Sequence, residues 1–264
     1  MVKNIAYITD SIGANIQVDL LEKVTKAKVK RAKAYAATKR SKSEGFKFPE
    51  TNFTDVVPKV LASGNIDVAV TMAPSVEISN LPKHAHDECA LQEASNSSYN
   101  MIKVAALALD KNRNLKQFII AERAPRFDQW SDLNNFANEE LHEALNKVED
   151  IELKKRIVIG KHNLDCSKKG LQESRYGDPR VKYVDGIHMK GSSGCIAMTR
   201  SMAAILARAG LCNIEEAEQV GRSEPRDPSP ETDFQVQRGR GGAPRLDSRP
   251  QETSTQNRYA ALGN

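Results

Sequence analysis

Ser11, Asp185 and His188 are the residues of this sequence whose types and order suit covalent chemistry. A serine hydroxyl is a poor nucleophile until a base removes its proton, and an imidazole does this best when a carboxylate fixes its tautomer. Asp185-Gly186-Ile187-His188 offers both partners from one loop. An Asp-x-x-His pair is common by chance, so its weight depends on where the chain puts it. Ser11 follows the apolar run Ile5–Ile8 and a polar break at Thr9-Asp10, with Gly13 and an amphipathic segment Ile16–Val24 after it. Strand, tight turn and helix are the expectation. Such a turn lifts one side chain off the carboxyl edge of a sheet and aims backbone N–H groups at a ligand. A plain helix cap by Asp10 or Ser11 satisfies the same pattern, and on this stretch alone it is the commoner outcome.

The elements that must position these residues alternate along the chain. Strands are predicted at Ile5–Ile8, Lys28–Thr38, Asp67–Ala73, Leu115–Ala121 and Arg156–Gly160. Helices are predicted at Ile16–Val24, Phe53–Ser63, Cys89–Lys111, Asn135–Lys155 and Cys195–Ala209. Pro74–Asp87 reads as a long polar loop at the rim of the site. Each connection has crossover length, so the expectation is a three-layer α/β/α fold on a mostly parallel five-stranded sheet. Functional groups gather at the carboxyl ends of such strands. Ser11 ends the first strand and the Asp185–His188 loop precedes the last helix, so topology can bring them to one edge. Residues 1–212 form the predicted domain. From residue 213 to 264 the composition turns to Gly, Pro, Ser, Arg and Gln, which predicts a disordered tail.

With these elements in place, the sequence resembles the SGNH (GDSL-type) hydrolases. The matching words are TDSIGAN around Ser11, NFTDVVP at Asn52–Pro58, HNLDC at His162–Cys166 and RVKYVDGIHMKGSSG at Arg180–Gly194. More narrowly, they are similar to the SGNH-like domains of invertebrate retroelement-type reading frames, to whose tail motif QNRYAALGN (Gln256–Asn264) is also similar. The resemblance covers about Met1–Leu211. It implies Ser11 as nucleophile, His188 as general base and acid, Asp185 as its orienting partner, and hydrolysis of a small ester without any cofactor or metal. It also implies an oxyanion hole, for which Ser11, Ala37 and Ser75 are the candidates here. Three departures mark this chain: Thr9 stands where the family's Gly-Asp-Ser begins with glycine, Tyr35-Ala36-Ala37-Thr38 holds no glycine at the second block, and Val76 stands where the family places asparagine. Removing one oxyanion donor typically costs about 2.7–4 kcal/mol of transition-state stabilisation, so a weak esterase is expected.

Charge supports a second reading. The net charge of +5 over 264 residues is modest, but Lys23–Lys47 is dense in cations. Lys28, Lys30, Arg31 and Lys33 in that stretch, with Arg238 and Arg240 in the tail, are the candidates for contacting RNA. A solvated lysine-rich face explains the stretch as well, and is the commoner outcome for such a run. No apolar run is long enough to span a membrane, and four widely spaced cysteines predict reduced thiols in an intracellular, cytoplasmic setting. His84 and His86 lack a second ligand pair at metal-binding spacing and read as loop residues. His162 is expected to line the site or cap a strand. Arg126 is expected in a surface salt bridge, and Trp130 either to shape an acyl pocket or to close the core.

Overall fold

The computed structural model describes residues 2–39, 51–82, 86–126, 128–164 and 191–221, with residues 191–193 described by backbone alone. Five strands, β1 (Asn4–Thr9), β2 (Lys28–Lys33), β3 (Val68–Met72), β4 (Gln117–Ala121) and β5 (Ile157–Gly160), form one sheet in the order β2-β1-β3-β4-β5. Every pairing is parallel, with Tyr7 level with Val70, Val70 with Ile119 and Ile119 with Val158. β3 is buried at every residue. A parallel sheet covered on both faces requires this, and it explains a near-continuous apolar run where an alternating one would mark a half-exposed strand.

Alternation still sorts the two faces. Ile5 and Tyr7 of β1, with Val70, Met72 and Ile119, pack against Leu21 of α1 (Val18–Thr25) and against Met198, Met202 and Ile205 of α7 (Gly191–Arg208). Ala6 and Ile8, with Ala69, Phe118 and Ile120, pack against Phe53, Val57 and Leu61 of α2 (Phe53–Ala62) and Met101, Ala105 and Leu109 of α4 (Glu88–Lys111). The period of two along β1 therefore decides which helix layer each side chain meets. α2 and α4 begin where the sequence offers side-chain caps: Asn52 accepts from Asp55 N–H, and Asp87 from the N–H groups of Cys89 and Ala90.

Several expectations change at the ends of elements. β2 stops at Lys33, five residues before the predicted Thr38, and only an isolated bridge between Ala36 and Asn52 continues it. The single helix predicted over Asn135–Lys155 is two, α5 (Ser131–Asn146) and α6 (Ile151–Arg156), because Asp150 caps a new start by accepting from Leu153 N–H at 2.9 Å. The rim loop contains one helical turn, α3 (Ser75–Ile78). The folded chain also continues past residue 212 into α8 (Ile214–Glu218), which seats Ala217 and Val220 in the core beneath α7. Composition conceals that turn, since its outward residues are mostly acidic and only Ala217 and Val220 of this stretch are buried. The rest of the predicted tail lies outside the described residues.

Gly13 shows how closely the first turn is packed. A methyl group added there would come within 1.9 Å of Thr9 Oγ1 and 2.4 Å of Tyr7 Oη, whose hydroxyl donates to Gly13 O at 3.1 Å. Gly13→Ala is expected to destabilise the domain by about 1–3 kcal/mol, readable as a lowered midpoint in urea unfolding.

Candidate active site

The order β2-β1-β3 places a topological switch point between β1 and β3: the chain steps from β1 to one side and then returns past it to the other. Crevices form outside the carboxyl ends of strands at such points. Ser11 follows β1 and Ser75 follows β3, so both stand at the carboxyl edge beside this switch point. Ser11 is half-buried, in a turn that leads into a single 3-10 turn at Gly13–Asn15.

Asp10 organises this edge. Its side chain is fully buried, and Oδ1 accepts from Ile12 N–H at 3.0 Å and Gly13 N–H at 3.4 Å. Oδ2 accepts from Ser75 N–H at 2.9 Å, across the switch point. Burial pushes the Asp10 carboxyl up, while the backbone N–H groups of Ser75, Ile12, Gly13 and Val76 act against that rise. Neither Asp10 nor Ser11 occupies the N-cap of the helical turn or of α1, which fall to Ile12 and Gln17; Asp10 instead closes the turn by accepting from the N–H groups of Ile12 and Gly13.

A second buried carboxylate lies beside the first. Glu77 Oε2 accepts from Ala37 N–H at 3.2 Å and from Ser97 Oγ at 2.6 Å. Of the oxyanion candidates, then, Ala37 directs its N–H to Glu77 and Ser75 directs its N–H to Asp10. The Ser75 hydroxyl is buried and has no hydrogen-bond partner among the described residues. Buried polar groups are normally paired, so an orphan donor at the switch point is a feature to be explained. Asp185 and His188 lie outside the described residues, as do Arg238, Arg240 and His84.

Several side chains differ from their sequence-based expectation. Arg126 is 3 % exposed; it donates to Asp128 Oδ1 at 2.7 Å, to Ser75 O at 3.3 Å and to Ser79 Oγ at 2.9 Å. The ion pair expected on the surface is therefore buried against α3, because the backbone of the turn supplies acceptors that the sequence cannot reveal. Trp130 lies 5.5 Å from the Arg126 guanidinium, donates to Leu81 O at 3.0 Å, and packs on the small cluster of Ile78, Ala90, Ala94, Leu133 and Ala137. Arg123, which composition and motif both passed over, is the largest fully buried side chain among the described residues. Only its position directly after a predicted strand pointed to this edge.

Four of the six RNA candidates, Lys28, Lys30, Arg31 and Lys33, lie on β2, an edge strand, where they are exposed. Lys30 donates to Ser63 Oγ at 2.6 Å and Arg31 to Ala14 O at 2.7 Å. Charge along an open edge also discourages pairing with another strand. Cys89, Cys195 and Cys212 are free thiols. Among the described residues there is no cluster of three metal-ligating side chains and no helix long and apolar enough to cross a membrane.

Comparison with known proteins places the fold. No protein-family model matches the sequence, and no curated protein matches it. Solved structures do match. A member of the lipolytic protein G-D-S-L family from Veillonella parvula superposes with a TM-score of 0.51 at 11% identity, over 78% of this chain and 99% of that one. A carbohydrate acetylesterase family member from Sinorhizobium meliloti gives 0.52 at 11% identity, over 79% and 98%. A family two carbohydrate esterase from Clostridium thermocellum, in complex with cellohexaose, gives 0.51 at 10% identity, over 79% and 65%. The chain therefore has the α/β fold of SGNH-type hydrolases.

His162, two residues beyond β5, is buried, with Nδ1 at 2.9 Å from Ser201 Oγ. Burial lowers its pKa from 6.5 to about 4, with the Arg208 charge adding to the effect. The folded chain keeps this imidazole neutral where the unfolded chain protonates it. Stability from this group is thus complete above about pH 6.5 and is lost as the pH falls toward about 4, by about 3 kcal/mol in all. Denaturant unfolding at pH 7 and pH 5 should show the loss, and His162→Gln should flatten it.

Proposed function

We propose that this protein is a weak serine acyl-hydrolase of the SGNH type, acting on a small ester through Ser11. The observation that carries the reading is the Ser11 turn itself. It stands at the switch point of an SGNH-type sheet, with Asp10 buried behind it and joined to the Ser75 turn. Ser11 attacks the ester carbonyl as His188, oriented by Asp185, takes its proton; the alcohol departs, and water then releases the acid from the acyl-enzyme. The Ser11 N–H is one donor to the oxyanion. The orphan Ser75 hydroxyl is the second, in place of the asparagine side chain that Val76 lacks. Ala37 contributes only if its N–H leaves Glu77, which accounts for a low rate.

A second reading is favoured by the exposed cations of β2: an RNA-binding module of a retroelement-type protein, using Lys28, Lys30, Arg31 and Lys33 together with Arg238 and Arg240. It predicts RNA binding that weakens steeply with salt and is lost in the Lys30→Glu, Arg31→Glu, Lys33→Glu triple variant. Unchanged affinity in that variant removes this reading.

The hydrolase reading is tested with a fluorophosphonate probe and short p-nitrophenyl esters. Labelling and turnover are expected in the full chain and absent in Ser11→Ala; a wild-type chain no more reactive than that variant refutes it. Val76→Asn should raise kcat by at least about tenfold, and Ser75→Ala should lower it by roughly the same factor, since a single oxyanion donor is worth about a hundred- to a thousandfold in established sites.

A further inference from the structure

We infer that Arg123 is a positioning residue for this site: directly at Pro74 O, and through Ser97 and Glu77, its guanidinium holds the Pro74–Glu77 turn and the chain after β2 in place behind Ser11. The functional half of the inference rests on the hydrolase reading; the structural half does not.

Arg123 is 1 % exposed, and its own peptide is clamped to α5 by Asn138, which accepts from Arg123 N–H at 2.9 Å and donates to Arg123 O at 3.1 Å. From that fixed base the side chain reaches across the top of the sheet. Nε donates to Pro74 O at 3.1 Å; Nη1 donates to Ser98 Oγ at 3.2 Å and Ala137 O at 3.0 Å; Nη2 donates to Ser97 Oγ at 2.9 Å. Ser97 passes the interaction on, since its hydroxyl donates to Glu77 Oε2, which also takes the Ala37 N–H. One continuous path of hydrogen bonds therefore joins α5, the chain after β4, α4, the turn after β3 and the chain after β2.

The path has a direction. Pro74 precedes Ser75, whose N–H is bound to Asp10 from the other side. The Pro74–Glu77 segment is therefore gripped from opposite sides, by a carboxylate next to Ser11 and by a guanidinium rooted in α5. Burial lowers the Arg123 pKa to about 10, with Glu77, Asp10 and Glu122 opposing the shift, so the group stays charged at neutral pH. An apolar side chain of the same volume commonly stabilises such a location as well or better. A buried fork that ties α4 and α5 to the turn beside the candidate nucleophile, directly through Pro74 O and by way of Ser97 to Glu77, is an arrangement for geometry. A misplacement of about 1 Å at a reacting centre costs on the order of a hundredfold in rate.

The test compares Ser97→Ala, Arg123→Lys and Arg123→Met with the wild-type full chain, by ester kinetics and by residue-resolved amide hydrogen exchange. Ser97→Ala removes the relay without burying a new charge, and Arg123→Lys keeps the charge but loses the fork. Both should lower kcat by about tenfold or more with little change in KM, and Arg123→Lys should recover part of what Arg123→Met loses. The amides of Ala37 and Ser75 should exchange faster, while those of Val70 and Ile119 in the sheet keep their protection. An unchanged kcat, or exchange that accelerates equally at all four amides, overturns the inference by showing a merely structural role. Should Arg123→Met fail to fold, Ser97→Ala and Arg123→Lys decide. Should the wild-type chain lack esterase activity, the hydrolase reading falls by itself. The exchange pattern then judges the positioning role: acceleration confined to Ala37 and Ser75 upholds it, and uniform or absent acceleration overturns it.

Discussion

The bond from Ser75 N–H to the buried Asp10 carboxylate is the constraint on which the carboxyl edge depends. A carboxylate withdrawn from water is costly unless its oxygens are fully used. Asp10 meets that demand with backbone N–H groups from its own turn and from the turn after β3. Hydrogen bonds to a charged group contribute about 1.5–3 kcal/mol each, and loss of the carboxylate would strand several buried donors at once. Its position also ties the turn that carries Ser11 to the turn after β3, so the two move as one unit at the carboxyl edge.

Charge opposite to Asp10 is supplied at a distance. Arg123 and Arg126 are both buried, and both donate to backbone carbonyls of the Pro74–Ser75 peptides. The turn after β3 therefore has its N–H groups drawn to a carboxylate and its carbonyls drawn to guanidinium groups. Such a segment has few alternative conformations, because any rotation of its peptides leaves buried partners unmatched on both sides. Rigidity of this kind suits a site that must hold donors ready where charge develops.

Beneath the edge, the sheet is an ordinary apolar scaffold. β1 and β3 are central and almost wholly buried, whereas β2 lies at an edge and carries its cations outward. Glu22 covers the outer N–H of Val29 at 2.7 Å, and Thr51 O takes the N–H of Tyr35. The same lysines that suggest a polyanion surface also keep an open edge soluble, so sequence charge alone does not separate the two roles.

Much of the fold is legible in the sequence. Buried parallel strands read as short apolar runs, helices as periodic ones, and Asn52 and Asp87 mark helix starts by their own chemistry. These are local properties, which neighbours in the chain decide. Ser11 at the end of the first strand is legible for the same reason. The boundaries that differ do so for different reasons: at Asp150 a local side-chain cap restarts the helix within a continuous periodic pattern, whereas beyond residue 212 two buried side chains outweigh a polar composition. Only the tertiary structure could show that Ala37 N–H meets Glu77, that the Ser75 hydroxyl is left unpaired, and that Arg123 lies at the centre of the edge. An arginine after a strand looks alike in sequence whether it faces water or is buried. Its place depends on which carbonyls and hydroxyls the folded chain brings within reach, and those come from Pro74, Ser97, Ser98 and Ala137, on three other parts of the chain.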